Sequence, residues 1–115
     1  MNDSKKLEHF LHVQVEHWNK GDKEGFLGCY RDIAENGLDI EYVGYPKADP
    51  WVTLNAMWDQ EREKIRIDIL AAIVSGNEAA CHHRNNRTTG EPATHTIELY
   101  KFENGHLSAR YFIGR

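Results

Sequence analysis

Only two cysteines, Cys29 and Cys81, occur among the 115 residues. No Cys-x-x-C spacing is present, so neither a disulfide framework nor a thiolate metal motif is written into the chain. Both read as reduced, mostly buried thiols. No apolar run approaches the roughly 18 residues that a membrane-spanning helix needs. The opening "MNDSKKLEHF" is polar and then amphipathic, without the apolar stretch of a signal peptide, which sets the expectation of a cytoplasmic protein. A basic stripe is missing too. The formal net charge is −4, and the densest basic stretch, "HHRNNR", holds no aromatic residue for base stacking. Neither nucleic acid nor membrane is therefore an expected partner. There is no glycine-rich phosphate loop, no G-x-S-x-G elbow, no internal repeat and no Pro/Gly/Ser linker.

What is present is the composition of a globular chain, with 40% hydrophobic and 28% charged residues. That length suits one domain, 1–115, with one core. Leu7, Phe10, Leu11, Gln14, Val15 and Trp18 follow the i, i+3, i+4, i+7 spacing of one helical face. Gln14 is the single polar member. Gly21 suits a left-handed helix end, and Asp22 suits the cap of a second, short helix carrying Phe26, Leu27 and Tyr30. "LDIEYVGY" reads as a strand. Asp49-Pro50 then marks a third helix, with Trp51, Leu54, Trp58, Glu61 and Ile65 on a shared face. Four further strand patterns follow: "RIDILAAIVS", "EAACHHRNNRT", "PATHTIELYKF" and "LSARYFI". Helix, helix, strand, helix and a long antiparallel meander make an α+β fold, with helices on one face of a curved sheet.

Asn104-Gly105 between two strand patterns is a strong hairpin signal. A two-residue loop there pairs Phe102 with Leu107, Tyr100 with Ala109 and Glu98 with Tyr111. Cross-strand partners share a face. One face then carries Glu98, Tyr100, Phe102, Leu107, Ala109, Tyr111 and Ile113, and the sequence predicts that it lies under the helices. Glu98 is its misfit. A carboxylate among apolar neighbours must be held neutral or be paired, to a tyrosine or an internal arginine. The opposite face, with Ile97, Leu99, Lys101, Ser108, Arg110 and Phe112, is mixed, as an exposed or dimer-forming face would be.

The stretches "NKGDKEGF", "EYVG" and "TGEPATHTIELYKFENGHL", with the helix order, resemble the nuclear transport factor 2-like superfamily. Within it they look like the SnoaL-like polyketide cyclase and ketosteroid isomerase groups. The resemblance implies a cystatin-like cone: three N-terminal helices packed on a strongly curved, mostly antiparallel sheet that encloses a pocket. It also implies a homodimer through the outer sheet face. It places Glu98 at the position of a neutral acid that donates to an oxyanion, as in ketosteroid isomerase. Glu41 falls at the position of the catalytic base, with Asp39 as the alternative. Gln14 falls where a tyrosine donor stands, and Tyr111 is the partner opposite Glu98. The third strand departs from the pattern, since "CHHRNNR" replaces apolar pocket residues. Family alignment turns His82, Arg84 and Asn86 inward. A simple two-residue loop at "TTGE" instead selects Cys81, His83, Asn85 and Arg87. Either register brings a histidine, an arginine and an asparagine inside, which suits a small polar or anionic ligand.

Seven histidines invite a metal reading. Adjacent His82 and His83 face opposite sides of a strand, and His9 and His12 lack a companion at zinc-motif spacing, so no metal site is expected. Trp18, Trp51 and Trp58 read as core or pocket wall, and Tyr100 joins Glu98 on the inner face. Two functions follow. One is a cofactor-independent enzyme, an isomerase, aldol-type cyclase or dehydratase acting on a small polar enolisable carbonyl compound. Glu41 would be its base, and Glu98 with Tyr111 or Gln14 its oxyanion donors. The other is a non-catalytic ligand-binding or accessory module of the same fold.

Overall fold

The computed structural model describes residues 2–114. Helix α1 spans Asp3–Lys20 and α2 spans Lys23–Ile33. Strand β1 is Gly37–Tyr42, and α3 is Pro50–Glu61. Strands β2 (Ile65–Ser75), β3 (Glu78–Arg87), β4 (Thr94–Glu103) and β5 (His106–Gly114) complete the chain.

Each helix starts where side-chain chemistry predicts, but α3 ends at Glu61, and Ile65, expected on its face, instead opens β2. Asp49 accepts from the Trp51 and Val52 backbone N–H groups, with Pro50 at the first helical position. Asp22 accepts from Gly25 N–H at 2.9 Å. Gly21 ends α1 at φ 77°, a left-handed conformation that a Cβ would strain. The α1 stripe is buried as expected, Gln14 included.

The sheet order is β1-β5-β4-β3-β2. Strand β1 runs parallel to β5, and the other pairs are antiparallel. The sheet curls without closing, and three helices pack on it. The hairpin register is the one predicted, with Glu98 opposite Tyr111 and Phe102 opposite Leu107. Asn104 and Gly105 both take positive φ, 51° and 74°, as a tight hairpin turn with matching twist requires. Leu7, Leu11, Leu54 and Leu107 are fully buried between the helices and the sheet.

The expected orientation of β3 is corrected. Cys81 pairs with Glu98, His83 with Thr96 and Asn85 with Thr94. Cys81, His83 and Asn85 are buried, whereas Arg84 is exposed. This is the register that a two-residue loop at Thr89-Gly90 selects. No bulge interrupts β3 and β4. The register shift lies between Ile69 and Ala71 on β2, so it bends the outer strand and leaves the face of β3 unchanged.

Candidate functional site

The bent sheet and the helices enclose a cavity of about 630 Å³. That size holds a small organic molecule. Helix α1 contributes Gln14 and Trp18, and α2 contributes Phe26 and Tyr30. Tyr42 enters from β1, Met57, Gln60 and Glu61 from α3, and Ile65 and Ile67 from β2. The inner faces of β3, β4 and β5 add His83, Asn85 and Arg87, then Thr94, Thr96 and Glu98, then Tyr111 and Ile113. Most of this wall is apolar or aromatic, with polar groups gathered at two places.

The deeper group centres on Glu98. The Tyr100 hydroxyl donates to its Oε1. His83 Nδ1 lies 3.2 Å from its Oε2, with the two side chains 2% and 13% exposed. Oε1 thus accepts a hydrogen bond, and Oε2 faces the imidazole ring at ion-pair distance. The pairing predicted as an alternative for Glu98 is thus present, through a histidine and a tyrosine in place of an arginine. A proton on Nδ1, the nitrogen that faces Glu98, would leave the lone pair of an uncharged ring on Nε2. That atom is buried and has no hydrogen-bond partner among the described residues.

Tyrosine hydroxyls surround this pair. Tyr30 and Tyr111 oxygens are 3.3 Å apart. Burial pushes the Tyr30, Tyr42, Tyr100 and Tyr111 hydroxyls up from their ordinary value, and the Glu98 charge pushes each further. All four stay neutral donors at physiological pH. Burial and Glu98 also push the Cys81 thiol up to about 12, so it is a poor nucleophile. Gln14 reaches the Leu11 carbonyl at 3.5 Å, a long contact that leaves its amide available to the cavity.

The second group lies at the end of β3. Asn85 donates to Thr96 Oγ1 at 2.8 Å and to Thr94 Oγ1 at 3.4 Å. Arg87 stands 3.7 Å from Glu61 Oε2 and 4.0 Å from Glu91 Oε2, both beyond hydrogen-bond length.

Of the residues that the sequence singled out, Gln14, Trp18, Glu98 and Tyr111 line the cavity. Tyr100 is buried behind Glu98 against the Phe10 ring. Trp58 stacks edge-on against Trp18, and Trp51 packs half-buried on the core; neither is on the cavity wall. Glu41 is outside it as well. Strand β1 pairs in parallel with β5, placing Ile40 beside Ala109 and Tyr42 beside Tyr111 on the inner face. Glu41 therefore points outward and meets Arg110 Nε at 3.3 Å, while Asp39 meets His106 at 2.9 Å. Neither is a base for this cavity. His82, Arg84 and Asn86 also face outward: His82 contacts His95 at 2.8 Å, and Arg84 and Asn86 share Asp68. Strand periodicity had left His83, Asn85 and Arg87 open as the other register. Glu61 was legible only as one member of the α3 face, and Tyr30 as one of the apolar residues of α2.

No family model matches the sequence, and no curated protein is significantly similar to it. Solved structures do match the fold. A candidate ketosteroid isomerase from Kribbella flavida superposes with a TM-score of 0.76 at 11% identity, over 100% of this chain and 82% of that one. An NTF2-like protein of unknown function from Mesorhizobium loti gives 0.73 at 15% identity, over 100% and 96%. A de novo designed protein with a curved β-sheet gives 0.74 at 12% identity, over 95% and 85%. The fold is therefore the nuclear transport factor 2-like cone. At such identities the likeness extends to the fold alone, and a designed chain shares it equally well.

Proposed function

We propose that the chain is a cofactor-independent enzyme that moves a proton on a small enolisable carbonyl compound. The observation that carries this reading is His83, whose ring lines the cavity, whose buried Nε2 has no hydrogen-bond partner among the described residues, and whose Nδ1 faces Glu98 at 3.2 Å. Buried polar atoms without partners are rare, and a catalytic role is one of the few reasons to keep one. In this scheme His83 is the general base. Glu98 is a positioning residue that sets its tautomer and stabilises the imidazolium once the proton has moved. Tyr30 and Tyr111, with Gln14, offer neutral donors to the oxygen on which enolate charge develops. The base thus shifts from a carboxylate on β1 to an imidazole on β3, and Glu98 changes from donor to acceptor.

The test is deuterium exchange at the α-carbon of a panel of enolisable ketones, followed by proton NMR. His83→Gln is expected to slow exchange by about 10²-fold or more, the usual contribution of a positioned base. Exchange in His83→Gln equal to that of the unaltered protein would refute the scheme. A binding module of the same fold is the second reading, favoured by the engagement of both Glu98 oxygens within the protein. It predicts ligands that bind without any exchange.

A further inference from the structure

Arg87 is the least satisfied cation on the cavity wall. Its side chain is 20% exposed, yet among the described residues its guanidinium makes no hydrogen bond, only the two long ion pairs to Glu61 and Glu91. Five N–H donors in a planar fork are thus unspent. The facing carboxylate is equally unsatisfied, since Glu61 Oε2 is buried without a hydrogen-bond partner. Glu61 is also the last residue of α3, where the helix dipole disfavours negative charge. Local structure gives no reason for a carboxylate there. Its place opposite Arg87 does.

We propose that Arg87 anchors a carboxylate at one end of an elongated, mostly apolar ligand, and that Glu61 is an internal competitor which occupies the guanidinium loosely until the ligand displaces it. A ligand carboxylate takes both guanidinium N–H groups in bidentate geometry, which Glu61 at 3.7 Å does not. The displaced Glu61 side chain, 40% exposed, has solvent to turn into. The rest of the ligand follows from the wall. His83, Asn85 and Arg87 alternate along the inner face of β3, so His83 and Arg87 are four residues apart, about 13 Å along an extended strand. Trp18, Met57, Ile65 and Ile67 form the apolar surface of the same cavity. A molecule whose carboxylate is several bonds from its carbonyl suits that spacing better than a compact keto acid. This extends the acid–base reading by naming the substrate class, but the anchor itself does not depend on turnover.

The probes are ω-benzoylpentanoate and its methyl ester, which have the same ketone and differ in the terminal charge. Binding is read from quenching of tryptophan fluorescence, since Trp18 lines the cavity, and from calorimetry. The acid is expected to bind about tenfold or more tighter than the ester, as charge-assisted hydrogen bonds imply. Arg87→Gln should remove that preference by weakening the acid alone. Glu61→Gln should tighten the acid severalfold and leave the ester unchanged. Loss of acid affinity in Glu61→Gln would overturn the competitor role and point to a ligand group that uses both side chains, such as a zwitterion. An acid-to-ester ratio untouched by Arg87→Gln, or no binding of the acid at millimolar concentration, would overturn the anchor. Deuterium exchange on the same ketone is read separately. Binding with these signatures but without exchange would sustain the anchor and sink the catalytic reading.

Discussion

Replacing Glu98 with Gln changes one oxygen into an amide while leaving the volume of the side chain almost unaltered. In the native cavity one carboxylate oxygen accepts from Tyr100 and the other faces His83 Nδ1 at 3.2 Å. The amide has a single accepting oxygen, so one donor must face the NH₂ group. Hydrogen bonds to charged groups contribute about 1.5–3 kcal/mol each. One is lost and the other becomes neutral, while relief of carboxylate desolvation offsets part of the loss. The expected net destabilisation is about 2 kcal/mol. With a urea slope of about 1–3 kcal/mol/M, the unfolding midpoint should fall by about 1 M with the slope unchanged. The conflict has a second signature. His83 can relieve it by moving its proton from Nδ1 to Nε2, which removes the basic lone pair from the buried nitrogen. Nitrogen-15 NMR of the imidazole reads that tautomer directly. A Glu98→Gln protein as stable as the original, with the His83 proton still on Nδ1, would refute both the pairing and the catalytic scheme built on it.

Four further outcomes are expected. Cys81 and the four tyrosines around Glu98 hold their protons above the ordinary values of 9.0 and 10.0, so the native state retains protons that the unfolded chain releases. Stability from these groups is full below pH 9 and falls as pH rises through 10 and beyond, and a urea midpoint that stays flat across that range would contradict it. Leu54→Ala, at a fully buried core position, should cost about 3 kcal/mol in urea unfolding. Asp49→Ala removes the acceptor for two backbone N–H groups at the start of α3 and should cost about 1 kcal/mol by the same assay. The outer sheet face exposes Ile73, Ile97 and Leu99, and on the proposal that a second copy covers it, light scattering at micromolar concentration should give a dimer mass that Leu99→Glu halves.

Sequence by itself determined the frame. The α1 stripe, the Asp49-Pro50 helix start and the Asn104-Gly105 turn are local signals, each set by contacts within a few residues. Hairpin parity followed from the turn, which is why Glu98 was legible from the sequence as an inward carboxylate opposite Tyr111. Beyond that frame, local pattern ran out. Strand β3 is polar on both faces, so neither "CHHRNNR" register was apolar enough to be selected, and only pairing with β4 across an unbulged ladder turned His83, Asn85 and Arg87 inward. Glu41 failed for a related reason. Its strand pairs in parallel with β5, a neighbour far away in sequence, and that pairing gave the inner face to Ile40 and Tyr42. The Tyr30–Tyr111 pair and the Glu61–Arg87 opposition join residues from different elements. Periodicity tells which side of an element faces inward. What that side meets is decided by how the helices close over the curled sheet.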